Sequence, residues 1–301
     1  MYDPYLFARR LHMNFLQLSY FKKVAELQHV SQAANELYIS QPALSKSIHL
    51  LEEEVGYPLF TREGTGIRLN ENGRILYRYA CHILSGYQDA LSEISDYNHK
   101  NHKVVLSMTA GTHFLPEIIM GVKEYFPTID LAIRQEDYLD KRQRCDLYLH
   151  SSTVPLQESN AITLLSEVCL LGVSTDNPLS QETLITPDML QHEIFLTMPD
   201  HLPLYQITHA LCQDSGFTPD TSLQFDNRET IFDLIKANMG ISVIPSKTWA
   251  PFIRPGKIVL KPLSVSYYRH IILRWHKDHY LSENTGKIIS YLRDYFSALD
   301  V

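Results

Sequence analysis

The chain of 301 residues is long enough for two or three domains that each bury a hydrophobic core. Its hydrophobic content of 45% is typical of a globular protein, and no stretch approaches the roughly 20 apolar residues of a membrane span. We therefore expect no membrane contact. The opening MYDPYLFARRLH lacks the layout of a secretory signal, and whether residues 1–12 are native stays open.

The charge is unevenly distributed along the chain. The first 103 residues contain 11 Lys and Arg and 11 Asp and Glu, whereas the remaining 198 contain 16 and 23 and hold the whole net charge of −7. A nucleic-acid-binding domain is usually basic, so a balanced one predicts modest affinity for DNA. Binding would then depend on several such domains acting together.

The predicted elements begin with an amphipathic helix over residues 14–28. Four apolar residues recur there at helical spacing and are expected to pack inward: Phe15, Leu18, Phe21 and Val24. Two short helices joined by a tight corner follow within SQAANELYISQPALSKSIHLL, residues 31–51. Ser40 is positioned to cap the second of these helices, and Pro42 lies in its first turn, where a missing N–H costs nothing.

The second of these helices has two contrasting faces. Its apolar stripe consists of Leu44, Ile48, Leu51 and Val55. Its other face is rich in hydrogen-bonding groups and consists of Gln41, Pro42, Ser45, Lys46 and His49. A helix that is packed on one side and polar at its N-terminal end suits the major groove of DNA. The alternative is an ordinary helical hairpin whose polar face is solvated.

A two-stranded wing is predicted next, with its turn at Glu63-Gly64-Thr65-Gly66 and with Arg62 and Arg68 on either side. Asn70 is expected to cap a long helix that runs to about Asn98. Apolar residues recur at spacings of three and four over more than three heptads of this helix, which predicts a seam with a partner chain.

Residues 99–103 form a polar hinge, after which strands alternate with helices: VVLSM, PEIIMGVKEYF, IDLAI and DLYLH. This order predicts a parallel sheet with helices on its faces. A strand at 164–171 is expected to cross into a second lobe, and the chain is expected to return near Lys261.

Residues 13–76 resemble the LysR-type transcriptional regulators. The resemblance rests on MNFLQLSYFKKVAE, on SQPALSKSIHLLEEEVGYPLF and on TREGTGIRLNENGRIL; beyond residue 100 it is looser, with FDNRETIFDLIKANMGISVIP the best match. It implies an α+β multidomain protein. A winged helix-turn-helix domain (13–70) and a dimerising linker helix (71–98) would precede a two-lobed α/β effector domain (103–301) similar to periplasmic binding proteins. Lobe I would be 103–163 with 261–301, and lobe II 164–260.

The resemblance also implies a bacterial cytoplasmic, nucleoid-associated regulator that binds promoter DNA as a homodimer or homotetramer and contacts RNA polymerase. Bases would be read by Gln41, Pro42, Ser45 and Lys46, and the phosphate backbone would be contacted by Ser31, Gln32, Arg62 and Arg68, with Ser40 at the start of the helix.

A small-molecule effector, with an anion as one candidate, is expected between the lobes, beyond the carboxyl ends of strands. The predicted contacts are Thr109, Gly111, Thr112, His113, His150, Ser151, Thr197, Arg228 and Thr230. Each of these positions could instead be a helix cap or loop without a ligand. Between Ile133 and Asp146 the family has a full helix, but this chain has only the charged RQEDYLDKRQRC, so the cleft rim there is expected to be unusual.

Three other functions are less well supported by the sequence. It contains no GxSxG, P-loop, HExxH or dinucleotide glycine pattern, so we predict no enzyme, no cofactor and no metal site. A solute-binding protein would have a signal peptide and no DNA-binding head. A thiol redox sensor would need a low-pKa cysteine with a nearby partner, but the four cysteines, Cys81, Cys145, Cys169 and Cys212, are widely spaced.

Overall fold

The computed structural model describes residues 13–63, 66–98, 103–135, 145–276 and 280–299. The predictions for residues 1–12, the wing tip at 64–65, the hinge at 99–102 and the short segment at 136–144 lie outside these ranges. Contacts divide the chain into two units, Met1–Lys100 and Asn101–Val301, which are treated separately below. Within the described ranges, no helix combines the length and apolarity needed to cross a membrane.

Three helices form the first part of unit 1. Helix α1 (Phe15–Leu27) starts with a capping box, in which Asn14 accepts from the Gln17 N–H at 2.9 Å and Gln17 accepts from the Asn14 N–H at 3.1 Å. Helix α2 is Val30–Glu36, and helix α3 is Gln41–Val55. At the starts of α1 and α3, the side chains of Asn14 and Ser40 accept hydrogen bonds from backbone N–H groups that would otherwise be unpaired.

Local backbone chemistry sets both ends of α3. The Ser40 hydroxyl accepts from the Ala43 N–H at 3.4 Å, and Pro42 lies in the first turn, as the sequence predicts. Gly56 ends the helix with φ +81°, a left-handed conformation that glycine adopts without a steric penalty.

The wing consists of β1 (Phe60–Glu63) and β2 (Gly66–Leu69), which pair antiparallel, and helix α4 (Glu71–Tyr97) follows. Asn70 caps α4 by accepting from the Gly73 N–H at 2.9 Å, and its amide donates to the Pro58 carbonyl at 2.7 Å. A Cβ at Gly73 would lie 2.1 Å from the Leu59 carbonyl oxygen, so the start of α4 approaches the wing too closely for any side chain there.

The core of unit 1 contains the predicted inward residues Leu18, Phe21, Val24, Leu44, Ile48 and Leu51, together with Ala33 and Ala34 of α2. Phe15 is a correction, because half of its surface is exposed. Its ring lies 4.8 Å from the ring of Tyr87 on α4, at the first turn of α1. Helical spacing alone predicts Phe15 on the inner face. The residue is the first of α1, however, and half of its surface remains exposed at this end of the helix.

Helix α4 belongs to the same contact unit as the helices before it. Ala80 is fully buried, and Leu76 and Leu84 pack against the same core. The first half of this helix, for which the sequence predicts only a seam with a partner chain, thus also packs on the core of its own unit. A second apolar face of α4 remains exposed and consists of Ile75, Tyr79, Ile83, Tyr87, Leu91 and Ile94.

Unit 2 is built on a sheet with the strand order β10-β7-β12-β5-β3-β4, and β11 also pairs with β7. The bounds of these strands are Lys103–Met108 (β3), Asp130–Arg134 (β4), Leu147–Ser152 (β5), Ala161–Ser174 (β7), Ser242–Pro245 (β10), Ile258–Lys261 (β11) and Tyr268–Trp275 (β12). Strand β3 runs parallel to β4 and β5, but β12 runs antiparallel to both β5 and β7. The predicted parallel sheet is thus mixed, because strands that leave a lobe and return to it must run in opposite directions.

Helices and short strands cover this sheet and complete two lobes. Strand β6 (Gln157–Glu158) pairs with β7, while β8 (Ile194–Thr197) and β9 (Asp220–Gln224) form a separate parallel pair. The helices are α5 (Leu115–Tyr125), α6 (Pro203–Gln213), α7 (Arg228–Lys236) and α8 (Glu283–Leu299).

Two hydrophobic clusters locate the lobe boundary. Leu164 and Leu165 pack with β3, α5 and α8 in the first cluster, whereas Cys169 and Leu263 pack in the second. The boundaries at residues 164 and 261 that the sequence suggests are therefore a few residues early. The chain crosses between the lobes through the middle of β7 and through the residues that begin β12.

Candidate functional site

The N-terminal face of α3 is exposed above a rigid core. Gln41, Pro42, Ser45 and Lys46 all face solvent, while Leu44, on the opposite side, is fully buried. Lys46 forms no ion pair with any residue that the structure describes. The N-terminal half of α3 thus presents a positive charge together with the hydrogen-bonding side chains of Gln41 and Ser45.

Ser31 lies beside Gln41, and its hydroxyl donates to Gln41 Oε1 at 2.9 Å. The bond holds the amide of Gln41 with its NH₂ group available as a donor. The nearby Gln32 side chain is exposed, and its backbone N–H donates to His29 Nδ1 at 3.3 Å. Ser31 therefore has a partner within the protein, whereas the sequence suggested only a phosphate contact.

The two arginines of the wing lie on opposite faces of it. Residue 68 pairs with Thr61 and residue 62 with Ile67, so alternation along the strands separates the two side chains. Arg62 shares its face with Ile67, which packs on the core of unit 1. Both arginines are exposed. The sequence predicts both arginines beside the wing turn. It does not show that they lie on opposite faces, because the turn between them hides the register of the two strands.

Two glutamates near the end of α3 have structural roles that the sequence analysis missed. Glu52 Oε1 accepts from the Leu59 N–H at 2.7 Å and from the Phe60 N–H at 3.4 Å, which fixes the first strand of the wing to α3. Glu54 Oε1 accepts from the Met13 N–H at 2.8 Å. The sequence shows only three consecutive glutamates after a buried leucine. It does not predict their partners, because these lie across a turn or far along the chain.

A cavity of about 370 Å³ lies between the two lobes of unit 2. The structure brings six of the predicted effector residues to its wall: Thr109, Gly111, Thr112, His113, Ser151 and Arg228. His150, Thr197 and Thr230 are absent from the wall. His150 points to the other side of β5 from Ser151, Thr197 is buried, and the Thr230 N–H donates to Asn227 in the cap of α7.

Arg228 is held in place by three contacts on lobe II. Its Nε donates to Glu229 at 2.9 Å, its Nη1 donates to the Thr248 carbonyl at 3.4 Å, and its guanidinium lies 3.9 Å from the ring centre of Phe252. The ring of His113, on lobe I, lies 5.0 Å from the same Phe252 ring. The two lobes therefore meet at this aromatic ring.

A buried ion pair joins the two crossing strands at the base of the cavity. Arg269 on β12 donates to Glu167 on β7 at 2.8 and 3.0 Å. Glu167 also accepts from the backbone N–H groups of Lys247 and Thr248 at 2.9 and 2.8 Å, and the Thr248 hydroxyl completes the network. Every polar group of the network has a partner, which is what makes a buried charge tolerable. The sequence analysis missed it because its members are far apart in the chain.

Burial lowers the pKa of His113 to about 4, and the positive charge of Arg228 contributes to the same shift. His113 is therefore neutral at neutral pH. A neutral imidazole between two lobes offers one hydrogen-bond donor and one acceptor.

Three of the cysteines are protonated, buried thiols. Burial raises the pKa of Cys169 and of Cys212 to about 12, and it also raises the pKa of Cys145. Peroxide attacks the thiolate form, which is scarce at such values. These three positions therefore do not favour a redox sensor.

Known proteins match the chain over both units. The profile named "Bacterial regulatory helix-turn-helix protein, lysR family" matches residues 15–74, and "LysR substrate binding domain" matches residues 99–297. The HTH-type transcriptional regulator YybE of Bacillus subtilis is 29% identical over 294 residues, which cover 95% of this chain and 100% of YybE.

Two further matches agree with these. The transcriptional dual regulator GltC of Bacillus subtilis is 27% identical over 299 residues, which cover 96% of this chain and 99% of GltC. The crystal structure of HinK, a LysR family transcriptional regulator from Pseudomonas aeruginosa, shows a likeness of fold, with a TM-score of 0.56 at 20% identity over 95% of this chain and 99% of HinK. Since the two profiles together span well over half of its length, the chain belongs to the LysR family of bacterial transcriptional regulators, with an N-terminal helix-turn-helix domain that binds DNA and a C-terminal substrate-binding domain.

Proposed function

We propose that this regulator reads promoter DNA with the N-terminal face of α3 and alters its DNA complex when a small molecule with an anionic group binds between the lobes. The observation that carries the proposal is the contrast between the two sides of α3. Leu44, Ile48 and Leu51 fix the helix on the core, while Gln41, Ser45 and Lys46 are exposed on the opposite side.

The outward side chains suit separate parts of a DNA duplex. Gln41, held by Ser31, offers its NH₂ group to acceptors on base edges, and Ser45 lies one turn further along the same face. Pro42 offers an apolar contact. Lys46 supplies charge for a phosphate, as do Arg62 and Arg68 on the wing, while Gln32 and the start of α3 at Ser40 approach the backbone.

We further propose that α4 pairs with the same helix of a second copy. Its exposed face contains six large apolar side chains in a row, more than a solvated helix surface normally carries. Paired heads compensate for the balanced charge of each one. Substrate-binding domains would then join two dimers into a tetramer, and the DNA-bound assembly would contact RNA polymerase in the cytoplasm.

The cavity between the lobes is the proposed effector site. The turn at Thr109–His113 leads into α5 and has no side-chain cap among the described residues. The Thr109 N–H donates to the Leu149 carbonyl at 2.9 Å, so the N–H groups after it and the Thr112 hydroxyl are the donors that the turn offers an anion. Coupling between this site and DNA binding is typically about 1–3 kcal/mol in such systems.

A DNase I footprint of the full-length chain on the DNA upstream of its own gene tests this function. We expect protected half-sites whose centres lie about one helical turn apart or a multiple of it, because paired heads present both copies of α3 to the duplex. Protection should be lost in Gln41→Ala and kept in Gln181→Ala, a matched amide change at an exposed position of unit 2. Protection at random positions of the DNA, equal for wild type, Gln41→Ala and Gln181→Ala, would contradict the proposal.

A further inference from the structure

Both guanidinium groups on the cavity wall already have carboxylate partners. Arg269 is paired with the buried Glu167 at 2.8 Å, and Arg228 is paired with Glu229 at 2.9 Å. The charge of Arg269 is therefore paired inside the protein, whereas that of Arg228 is compensated only weakly because Glu229 is solvent-exposed. The cavity is not built as a simple anion trap.

Asp226 is the remaining charge on the wall, and it is negative. No cation of the described chain forms an ion pair with it. Its Oδ1 accepts from Asn227 Nδ2 at 2.8 Å, and Asn227 is itself fixed because its Oδ1 caps α7 by accepting from the Thr230 N–H at 2.9 Å. The carboxylate of Asp226 is thus oriented by the helix cap while its second oxygen stays available at the cavity.

The opposite lobe offers the complementary chemistry. Gly111 has φ +64° and starts a 3₁₀ turn at Thr112–Phe114 that continues into α5. Neither helix start is capped by a side chain that the structure describes, and Pro116 has no N–H to satisfy. The Thr109 and Thr112 side chains are exposed at this turn. A carboxylate fits there because it accepts hydrogen bonds from N–H and hydroxyl groups together.

The wall also carries five large apolar side chains: Met108, Met198, Leu202, Leu204 and Trp249. A cavity of about 370 Å³ is at the small end of the range for ligand sites, so its occupant is a small metabolite.

We propose that the effector is a small zwitterion of the amino-acid class, with its carboxylate at the Thr109–Thr112 turn of lobe I and its ammonium at Asp226 of lobe II. This inference rests on the proposed function, since it takes the inter-lobe cavity as the effector site. A ligand whose two charged groups bind different lobes holds the lobes together. An anion bound by one lobe alone does not. Asp226 is then the residue that separates zwitterions from plain carboxylic acids.

The test is a thermal-shift screen of the full-length protein, followed by calorimetric titration of each hit. The probes are the proteinogenic L-amino acids with β-alanine and 4-aminobutyrate, each compared with its deaminated acid and its decarboxylated amine. We expect at least one amino acid to bind. The deaminated acid and the decarboxylated amine of that amino acid should each bind at least about 10-fold more weakly. This is the effect of losing one charge-assisted hydrogen bond. Asp226→Asn should weaken that amino acid similarly, whereas Asp188→Asn, at an exposed position elsewhere in lobe II, should not.

Three results would overturn the zwitterion proposal. They are no binding by any amino acid, equal binding by the deaminated acid, and unchanged affinity in Asp226→Asn with its free melting temperature preserved. An acid whose binding is insensitive to Asp226→Asn but weakened by Thr112→Val would keep the cavity as the effector site while overturning the zwitterion. The footprint on DNA is scored separately, so failure of this screen leaves the assignment of α3 unaffected.

Discussion

Glu52 fixes the wing to α3 through a single carboxylate oxygen. Leu59 is fully buried, so its N–H has no water to replace Glu52. We expect Glu52→Ala to lower the free energy of unfolding by about 1–3 kcal/mol, the cost of a buried donor left without an acceptor. Calorimetric unfolding of the full-length chain measures this change.

Glu53→Ala is the matched control for this prediction. Glu53 is exposed and contacts only His49, one turn earlier at 3.3 Å, among the residues described. Its removal should change stability by no more than a few tenths of a kcal/mol. Equal effects of the two substitutions would refute the role given to Glu52.

His113 predicts a pH dependence of stability for the two-lobed unit. Its pKa is about 4 in the folded chain and 6.5 as a free side chain, so between these values the unfolded state binds a proton that the folded state does not. Stability should therefore fall as pH decreases from 6.5 towards 4. Melting temperatures of wild type and His113→Gln, compared across this range, should show a smaller decrease in the variant; parallel curves would contradict the prediction.

Sequence reasoning performed best for residues whose partners are close in the chain. The caps at Ser40 and Asn70 are predictable because a cap acts on an N–H three residues later. The roles of Ser31, Glu52 and Glu167 were missed, since their partners are 7 to 102 residues away. Only the folded chain shows which side chains those distances bring together.

At the level of elements, α4 has two apolar faces, one packed on the core of unit 1 and one exposed. Ala80 faces the core of unit 1, and Ile83 belongs to the exposed row. We expect Ile83→Glu to convert the protein to a lower oligomeric state, because a charge in an apolar seam is costly to bury. Sedimentation equilibrium measures the mass, and circular dichroism checks that the helix persists.

Gln88→Glu is the companion variant for the linker helix. It introduces the same charge at an exposed polar position of α4 and should leave the mass unchanged. If Ile83→Glu retained the wild-type mass, the exposed face of α4 would not be the seam that joins two copies.

The elements of the two-lobed unit were predicted in their order, but the sheet they form was not. Apolar runs such as those of β3 and β7 identify strands, yet they contain no information on strand direction. The antiparallel placement of β12 follows from the return of the chain to lobe I. Likewise, the sequence offers four loops as candidates for the cleft, and alternation along β5 decides that Ser151 and not His150 reaches it.

For the whole molecule, we expect Gln41 and Ser45 to read bases and Lys46 to contribute charge alone. Direct base contacts discriminate between sequences, whereas a phosphate contact strengthens binding to every sequence. Substitutions of Gln41 and Ser45 should therefore differ in effect from a substitution of Lys46 on the same helix.

Fluorescence anisotropy with the full-length chain measures this most directly, using the DNA upstream of its own gene and a scrambled duplex at one fixed salt concentration. We expect Gln41→Ala and Ser45→Ala to lose about 1–3 kcal/mol of preference for the upstream duplex, and Lys46→Ala to weaken binding to both duplexes alike. Equal weak binding of wild type to both duplexes, unchanged by Gln41→Ala and Ser45→Ala, would contradict the account and make the polar face of α3 a solvated surface.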